Sequence, residues 1–150
     1  MKRIFTLIAA TALTSAAVAQ TMKVYTGHVV TSYAAEALGD ANFNNGTQLT
    51  LQSKTFNTSD IDSIVVDRSQ AAAARTMQVA YANGNTWVTV SGDVASLLNI
   101  AVKGDHVSVV AAPETAEEIT YVLGGTATNG SFYMDGHYKS TLRFDNLNLT

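Results

Sequence analysis

The chain has 150 residues, no cysteine and a formal net charge of −3. The lack of cysteine excludes disulfides, thiolate metal sites, cysteine nucleophiles and a lipid anchor on cysteine. The sequence has no basic cluster, so the positive surface that nucleic-acid binding requires is missing, and attraction to an anionic membrane surface is disfavoured. Abundant valine and threonine, with a single proline, are typical of a folded β protein.

The first 19 residues have the pattern of a secretory signal peptide. Lys2 and Arg3 form a basic start, residues 4–18 are mostly apolar, and an A-x-A cleavage sequence ends at Ala19. The apolar run is shorter than the ~20 residues that a membrane-spanning helix needs, although an uncleaved N-terminal anchor is the alternative. We therefore expect cleavage after Ala19 and a secreted or cell-surface protein that is not inserted in the membrane.

Residues 20–68 are predicted to form a small N-terminal β module. Alternation over residues 22–30 predicts a first strand, and residues 31–45 predict a loop with one helical turn. Three further short strands follow, and the last of them begins at Ser63 after a single turn near Thr58. The alanine-rich stretch that comes next is interpreted as the boundary of the module.

Residues 76–150 are predicted to form a second, β-rich domain. Asn83-Gly84 lies between two alternating runs and is the clearest hairpin signal of the chain. In the return strand Val88 and Val90 share one face, which places Trp87 on the other face. From Glu118 onward, short apolar runs alternate with Gly-Gly, Asn-Gly and Asp-Gly dipeptides. The predicted fold class is therefore all-β throughout.

The residues that usually carry catalysis do not form a recognisable constellation. The histidines His28, His106 and His137 are far apart in sequence and have no zinc-site spacing. No G-x-S-x-G sequence provides a serine nucleophile, and the adjacent Glu117 and Glu118 would face opposite ways on a strand. We therefore predict a protein that is not an enzyme.

Calcium is the one metal that the sequence leaves open. Asp145, Asn146 and Asn148 cluster near the end of the chain, with Asp135 upstream, and such oxygen-bearing residues in turns are the chemistry that calcium prefers. The same residue types also favour left-handed turn geometry, and no D-x-D-x-D-G loop occurs. We assign no metal or cofactor to this chain.

A binding surface is the remaining possibility. Polysaccharide recognition commonly uses an exposed aromatic ring beside planar polar groups, and Trp87 is the best candidate platform, with Tyr133 and Tyr138 as further candidates. The alternative for Trp87 is packing at the edge of the core, where a tryptophan buries a large apolar area.

Asp62-Ser63-Ile64 resembles the acceptor tripeptide that some bacteria use for O-glycosylation of exported proteins. Ser63 is therefore a candidate modification site. The alternative is that Ser63 simply begins a strand after the preceding turn.

From Val24 onward the chain resembles the N-terminal region of a family of secreted bacterial proteins described as carbohydrate-binding domain-containing. The resemblance covers almost the whole chain after the signal peptide. It rests on the segments VYTG at 24–27, LTLQSKTFNTSDIDSIVVD at 49–67, DHVSVV at 105–110 and EEITYVLGGTATNGSFYMDGHYKSTLRFDNLNLT at 117–150.

The resemblance implies that the second domain begins a right-handed parallel β-helix. In the family, this solenoid binds polysaccharide and has calcium in later coils, so the resemblance assigns no ligand residue to this chain. The chain ends at Thr150, where the solenoid has only begun, and we expect either a truncated product or pairing of the open strand edge with something else.

The resulting hypothesis is a secreted, non-enzymatic polysaccharide-binding protein. The first alternative is a structural or adhesive surface module whose open β edge docks a partner strand. The second is a polysaccharide lyase or hydrolase whose active site lies in coils that follow these residues.

Overall fold

The computed structural model describes residues 20–150, and the all-β prediction is confirmed for them. The predicted signal peptide, residues 1–19, lies outside the described residues. The strands are β1 (Thr21–Thr26), β2 (Val29–Ala34), β3 (Ala41–Asn44), β4 (Gln48–Leu51), β5 (Lys54–Asn57), β6 (Ser63–Asp67), β7 (Thr76–Ala82), β8 (Trp87–Ser91), β9 (Leu98–Lys103), β10 (His106–Ala111), β11 (Ile119–Ala127), β12 (Ser131–Asp135) and β13 (Ser140–Leu149). Two single 3₁₀ turns, Ala35–Ala37 and Thr58–Asp60, interrupt them.

One large sheet organises the fold. It has seven strands in the order β13-β11-β7-β8-β2-β1-β6, and the two smaller sheets have the orders β12-β10-β9 and β3-β4-β5. None of the three sheets is closed. Both small sheets pack on the same face of the large one, because the buried residues of the large sheet's strands share two apolar clusters with theirs.

The two clusters divide the core between the small sheets. The smaller cluster joins β1 and β2 to the sheet β3-β4-β5 and consists of Val24, Tyr33, Leu49, Leu51, Phe56 and Ile61. The larger cluster lies between the strands β7, β8 and β11 and the sheet β12-β10-β9, and includes Met77, Val79, Val88, Val107, Val109 and Tyr121. Burial of these side chains is the main source of stability, since the chain has no disulfide.

The large sheet spans both predicted units. β2 from residues 20–68 pairs in parallel with β8 from residues 76–150, from Val29 opposite Val88 to Ser32 opposite Ser91. The predicted boundary segment crosses the outer face of this sheet. Ala72 N donates to Ser32 Oγ at 3.1 Å, and Thr76 N donates to Ser91 Oγ at 3.1 Å.

The structure corrects the sequence interpretation of residues 22–45. The expected single strand over residues 22–30 is a hairpin, because Gly27 takes a positive φ of 56° and lets β1 turn into β2. The expected loop over residues 31–45 is mostly extended, with β2 continuing to Ala34 and β3 occupying Ala41–Asn44. Only the 3₁₀ turn between them matches the predicted helical turn.

The C-terminal strands stack in parallel. β12 lies beside β10, with Val107 opposite Phe132, and β13 lies beside β11, with Tyr121 opposite Leu142. From β10 to β13 the chain therefore passes three times between the large sheet and the sheet β12-β10-β9. These two parallel pairs establish stacked strands, and the right-handed β-helix stays a prediction.

Candidate binding face

The outer face of the seven-stranded sheet is the face that neither small sheet covers. Along β8 the side chains alternate, with Val88 and Val90 buried in the core and Trp87 and Thr89 on the outer side. The register of β1 and β2 brings Tyr25 to the same side, opposite Val30. The crossing segment covers one end of this face, so the open part lies at the end that carries Trp87.

Three rings form a cluster at the open end. The imidazole of His28 stacks on the indole of Trp87, with ring centroids 4.8 Å apart and planes inclined by 24°. Tyr25 meets the same indole edge-on, with centroids 6.2 Å apart and an angle of 75°. Both are favourable aromatic geometries. We call Tyr25, His28 and Trp87 the aromatic cluster.

Hydrogen bonds fix the orientation of two of these rings. Trp87 Nε1 donates to Asn85 Oδ1 at 3.1 Å. His28 Nδ1 lies 2.8 Å from the carbonyl oxygen of Thr86. Because a carbonyl oxygen can only accept, Nδ1 carries the proton and donates it. The indole and imidazole are thus held in place before any ligand arrives.

Two aspartates hold the turns from which the cluster projects. Asp62 Oδ2 accepts from Gly27 N at 2.6 Å, which ties the residue before β6 to the β1–β2 turn. Asp105 accepts from Gly84 N at 2.6 Å and from the Thr86 hydroxyl at 2.5 Å, which ties the β9–β10 turn to the β7–β8 turn. These bonds are made to charged acceptors and are therefore stronger than neutral ones.

The predicted platform residues do not share one surface. Trp87 lies on the outer side of the large sheet, as the alternation of β8 predicted. Tyr133 is 57% exposed and lies opposite Ser108 on the outer side of the β12-β10-β9 sheet, so it faces away from Trp87. Tyr138 packs against the larger core cluster, and its hydroxyl is hydrogen-bonded to that of Tyr121. The three candidate rings therefore do not form one platform.

Tyr25 and His28 were not identified from the sequence. Both were interpreted as ordinary members of a first strand, because the turn between β1 and β2 was missed. Gly27 between two alternating runs was the available signal.

The candidate modification site, Ser63, is exposed at the start of β6. It lies opposite Tyr25 in the register of β1 and β6, on an edge strand of the large sheet. Its hydroxyl is therefore accessible and close to the aromatic cluster.

A separate cleft of about 250 Å³ lies between the two small sheets, over β2 and β8. Its walls are apolar at Val90 and Leu98 and polar at Asn57, Asp60 and Lys54. Burial lowers the pKa of the Lys54 ammonium. The cleft carries a cation and hydrogen-bonding groups but no exposed aromatic ring, so it lacks the stacking surface of the aromatic cluster.

Within residues 20–150, no group of three or more His, Cys, Asp or Glu side chains is placed to hold a metal ion. The calcium candidates Asp145 and Asn146 bond to each other, with Asn146 Nδ2 donating to Asp145 Oδ1 at 3.3 Å. Asn146 takes a positive φ of 50°, which is the turn geometry that the sequence offered as the alternative.

In the part of the chain that the structure describes, no helix has the length and apolar character needed to span a membrane.

No family model, curated protein or solved structure gives a significant match to the chain.

Proposed function

We propose that this chain is a secreted, non-enzymatic polysaccharide-binding protein and that the aromatic cluster is its sugar-contacting surface. The observation that carries the proposal is the position of Trp87. Its indole lies on the outer face of the large sheet and is only half-buried, although a tryptophan gains most by full burial in a core. A large aromatic ring that is left partly exposed and is oriented by a hydrogen bond can serve as a recognition group.

The surroundings of the indole suit a sugar ring. The C–H face of a pyranose is apolar and its rim carries hydroxyls, so it fits an aromatic plane that has hydrogen-bonding groups at its edge. Asn85, Thr89 and Gln78 supply such groups; Gln78 faces Thr89 across the β7–β8 pair. The face is open rather than a deep pocket, which fits a long polymer better than a small molecule.

The stacked C-terminal strands support the finer part of the fold proposal. We propose that β10 to β13 are two successive rungs of a right-handed β-helix. The support is the parallel pairing of β10 with β12 and of β11 with β13, which repeats the same sheet-to-sheet passage. The aromatic cluster belongs to β1, the β1–β2 turn and β8, and it lies outside these rungs.

Replacement of Trp87 tests the function directly. Binding to a panel of plant, microbial and host polysaccharides is measured for the unmodified chain and for Trp87→Ala by affinity electrophoresis. We expect at least one polysaccharide to retard the unmodified chain and the variant to lose roughly 10- to 30-fold in affinity, as for a central contact residue.

Tyr133→Ala is the matched control, because it removes an exposed ring from the opposite outer face. It should leave the affinity unchanged. Absence of binding to every polysaccharide would contradict the proposal. A large fall in the melting temperature of Trp87→Ala would show that the indole mainly stabilises the fold by packing at the edge of the core.

A structural or adhesive β module is the second candidate. The observation in its favour is that β6 and β13 are both edge strands of the large sheet, with Val66 56% and Phe144 63% exposed. A chain that binds no polysaccharide but assembles through these edges would support it.

A further inference from the structure

The larger core cluster is open at the end formed by β13. In a parallel pair, facing residues point to the same side of the sheet, and Leu142 and Phe144 face Tyr121 and Leu123. Those two partners are buried, with 0% and 2% of their surfaces exposed, whereas Leu142 is 43% and Phe144 63% exposed. Both apolar side chains thus point toward the core side, and about half of each is left exposed.

The same strand has a free hydrogen-bonding edge. β13 extends from Ser140 to Leu149 and pairs only with β11 among the described strands. One side of its backbone therefore presents unpaired N–H and C=O groups, the surface to which another strand adds most readily.

The side chains of β13 have a pattern that is symmetric about Phe144. Arg143 and Asp145 flank it, and both lie on the outer side, opposite Val122 and Gly124. Opposite charges therefore sit at equal distances from the centre, and both are exposed.

The symmetry extends further along the strand through a bulge. Gly124 faces Asp145 and Thr126 faces Asn148, so β13 places two residues, Asn146 and Leu147, opposite Gly125. The extra residue moves the next core-facing position of β13 from residue 146 to Leu147, which packs against the core cluster. The core-facing neighbours of Phe144 along the strand are therefore Leu142 on one side and Leu147 on the other.

We propose that this edge binds a second copy of the chain, with the two β13 strands antiparallel about a two-fold axis at Phe144. Arg143 of each copy then faces Asp145 of the other, and Phe144 faces its own equivalent. With the bulge, Leu142 faces Leu147 on the core side and Thr141 faces Asn148 on the outer side. The contact is isologous, so each favourable pair occurs twice.

Charge complementarity selects this arrangement. A parallel, in-register contact between two copies would set Arg143 beside Arg143 and Asp145 beside Asp145, which is unfavourable for residues directly opposite each other. An antiparallel contact centred on Arg143 would also oppose the two guanidinium groups. Only the axis at Phe144 matches both the charges and the apolar positions.

Charge reversal tests the register. Sedimentation velocity is measured for the unmodified chain, Arg143→Asp, Asp145→Arg and an equimolar mixture of the two variants. The unmodified chain is expected to form a dimer, and each single variant should weaken it by at least about 10-fold because two like-charged pairs then face each other.

The mixture is the decisive sample. Arg143→Asp carries two carboxylates and Asp145→Arg two guanidinium groups at the axis, so the two variants complement each other and a heterodimer should form. The double variant, with the charges exchanged, should dimerise as the unmodified chain does. Both positions are exposed, and circular dichroism with melting temperatures confirms that each variant is folded.

Several outcomes would overturn the proposal. A monomeric unmodified chain would do so. A dimer that persists in both single variants would show that another surface holds it, with β6 as the alternative edge. Failure of the mixed variants to associate would refute the axis at Phe144. Sugar binding by the aromatic cluster is independent of each outcome, because β11 and β7 separate β13 from β8.

Discussion

His28 and Trp87 form a stacked pair in which the imidazole covers one side of the indole at a centroid distance of 4.8 Å. The pair joins β8 to the turn before β2, so it spans the one place where the predicted N-terminal module and the second domain share a sheet. The Nδ1–H of His28 is occupied by the Thr86 carbonyl oxygen, which keeps the imidazole plane fixed. His28 is therefore a positioning residue for the indole.

Replacement of His28 by Ala should loosen the indole without unfolding the protein. Loss of one aromatic contact of ~0.5–1.5 kcal/mol predicts an affinity roughly 2- to 12-fold weaker for a polysaccharide bound at Trp87. Trp87 is the only tryptophan in the chain, so its fluorescence emission reports the change directly and should move to longer wavelength. His137→Ala, at an exposed position in a different turn, is the control and should leave both readings unchanged. An unaltered emission spectrum in His28→Ala would show that the stack does not hold the indole.

Tyr33→Phe should not destabilise the protein. The ring of Tyr33 is 1% exposed, and its buried hydroxyl has no hydrogen-bond partner in the described residues. Removal of an unpaired polar group should leave the free energy of unfolding unchanged or raise it by up to about 1 kcal/mol.

Tyr81→Phe is the matched comparison, because the Tyr81 hydroxyl donates to the carbonyl oxygen of Ser131 at 3.0 Å. Its loss should cost about 1 kcal/mol. Urea denaturation measures both variants. A clear loss of stability in Tyr33→Phe would indicate that its hydroxyl has a partner, such as an ordered water.

Gly125→Ala should be strongly destabilising. Gly125 takes a φ of +90°, and a Cβ there would lie 2.2 Å from the carbonyl oxygen of Tyr81 on the neighbouring strand. The left-handed backbone and the overlap together should cost about 2–5 kcal/mol.

Gly84→Ala separates the cost of the left-handed backbone from the cost of the steric overlap. Gly84 has a similar φ of +87°, but nothing lies within 4 Å of its added Cβ. It should lose only the conformational part, about 1–2 kcal/mol, measured as the shift of the denaturation midpoint. Equal losses in the two variants would mean that β7 and β11 move apart easily.

Asp67 should contribute stability that disappears in acid. The Ser69 hydroxyl, the Ser69 N–H and the Lys23 ammonium, 3.0 Å away, lower the pKa of its carboxyl from the ordinary 3.8 to about 2. A carboxyl whose pKa is lower in the folded chain stabilises the fold above the unfolded value and loses that effect as the pH falls.

Asp67→Asn should therefore melt below the unmodified chain at pH 6, and the difference should shrink as the pH falls from about 4 to about 2. Thermal melts at closely spaced pH values measure it, with Asp40→Asn in the exposed segment before β3 as the control. If the difference in melting temperature stayed constant over this pH range, the loss of stability in Asp67→Asn would come from altered hydrogen-bond geometry and not from the charge of the carboxylate.

The sequence predictions that agree with the structure are those that depend on neighbouring residues. The alternation of Val88 and Val90 gave the correct outward position of Trp87, and the Asn83-Gly84 turn is present between β7 and β8. Both are properties of neighbouring residues, for which periodicity and turn geometry suffice. The all-β class follows from the same local signals.

Long-range contacts explain what the sequence did not reveal. The parallel pairing of β2 with β8 joins residues almost 60 positions apart, and no local pattern specifies such a partner. Tyr138 was a candidate platform ring, but it packs on the core cluster and is hydrogen-bonded to Tyr121. The aromatic cluster depends on both the missed turn at Gly27 and the missed pairing, so only one of its members was found.

The pairing of β2 with β8 also determines when the large sheet can form while the chain is being synthesised. β8 lies between β2 and β7, so the large sheet cannot be joined across its middle until residue 91 is available. Until then β2 has an unpaired edge, and the apolar side of β1 and β2 has only the sheet β3-β4-β5 to cover it. A parallel partner that arrives late favours slow folding, so the first half of the chain should stay easy to unfold while the second half is still being made.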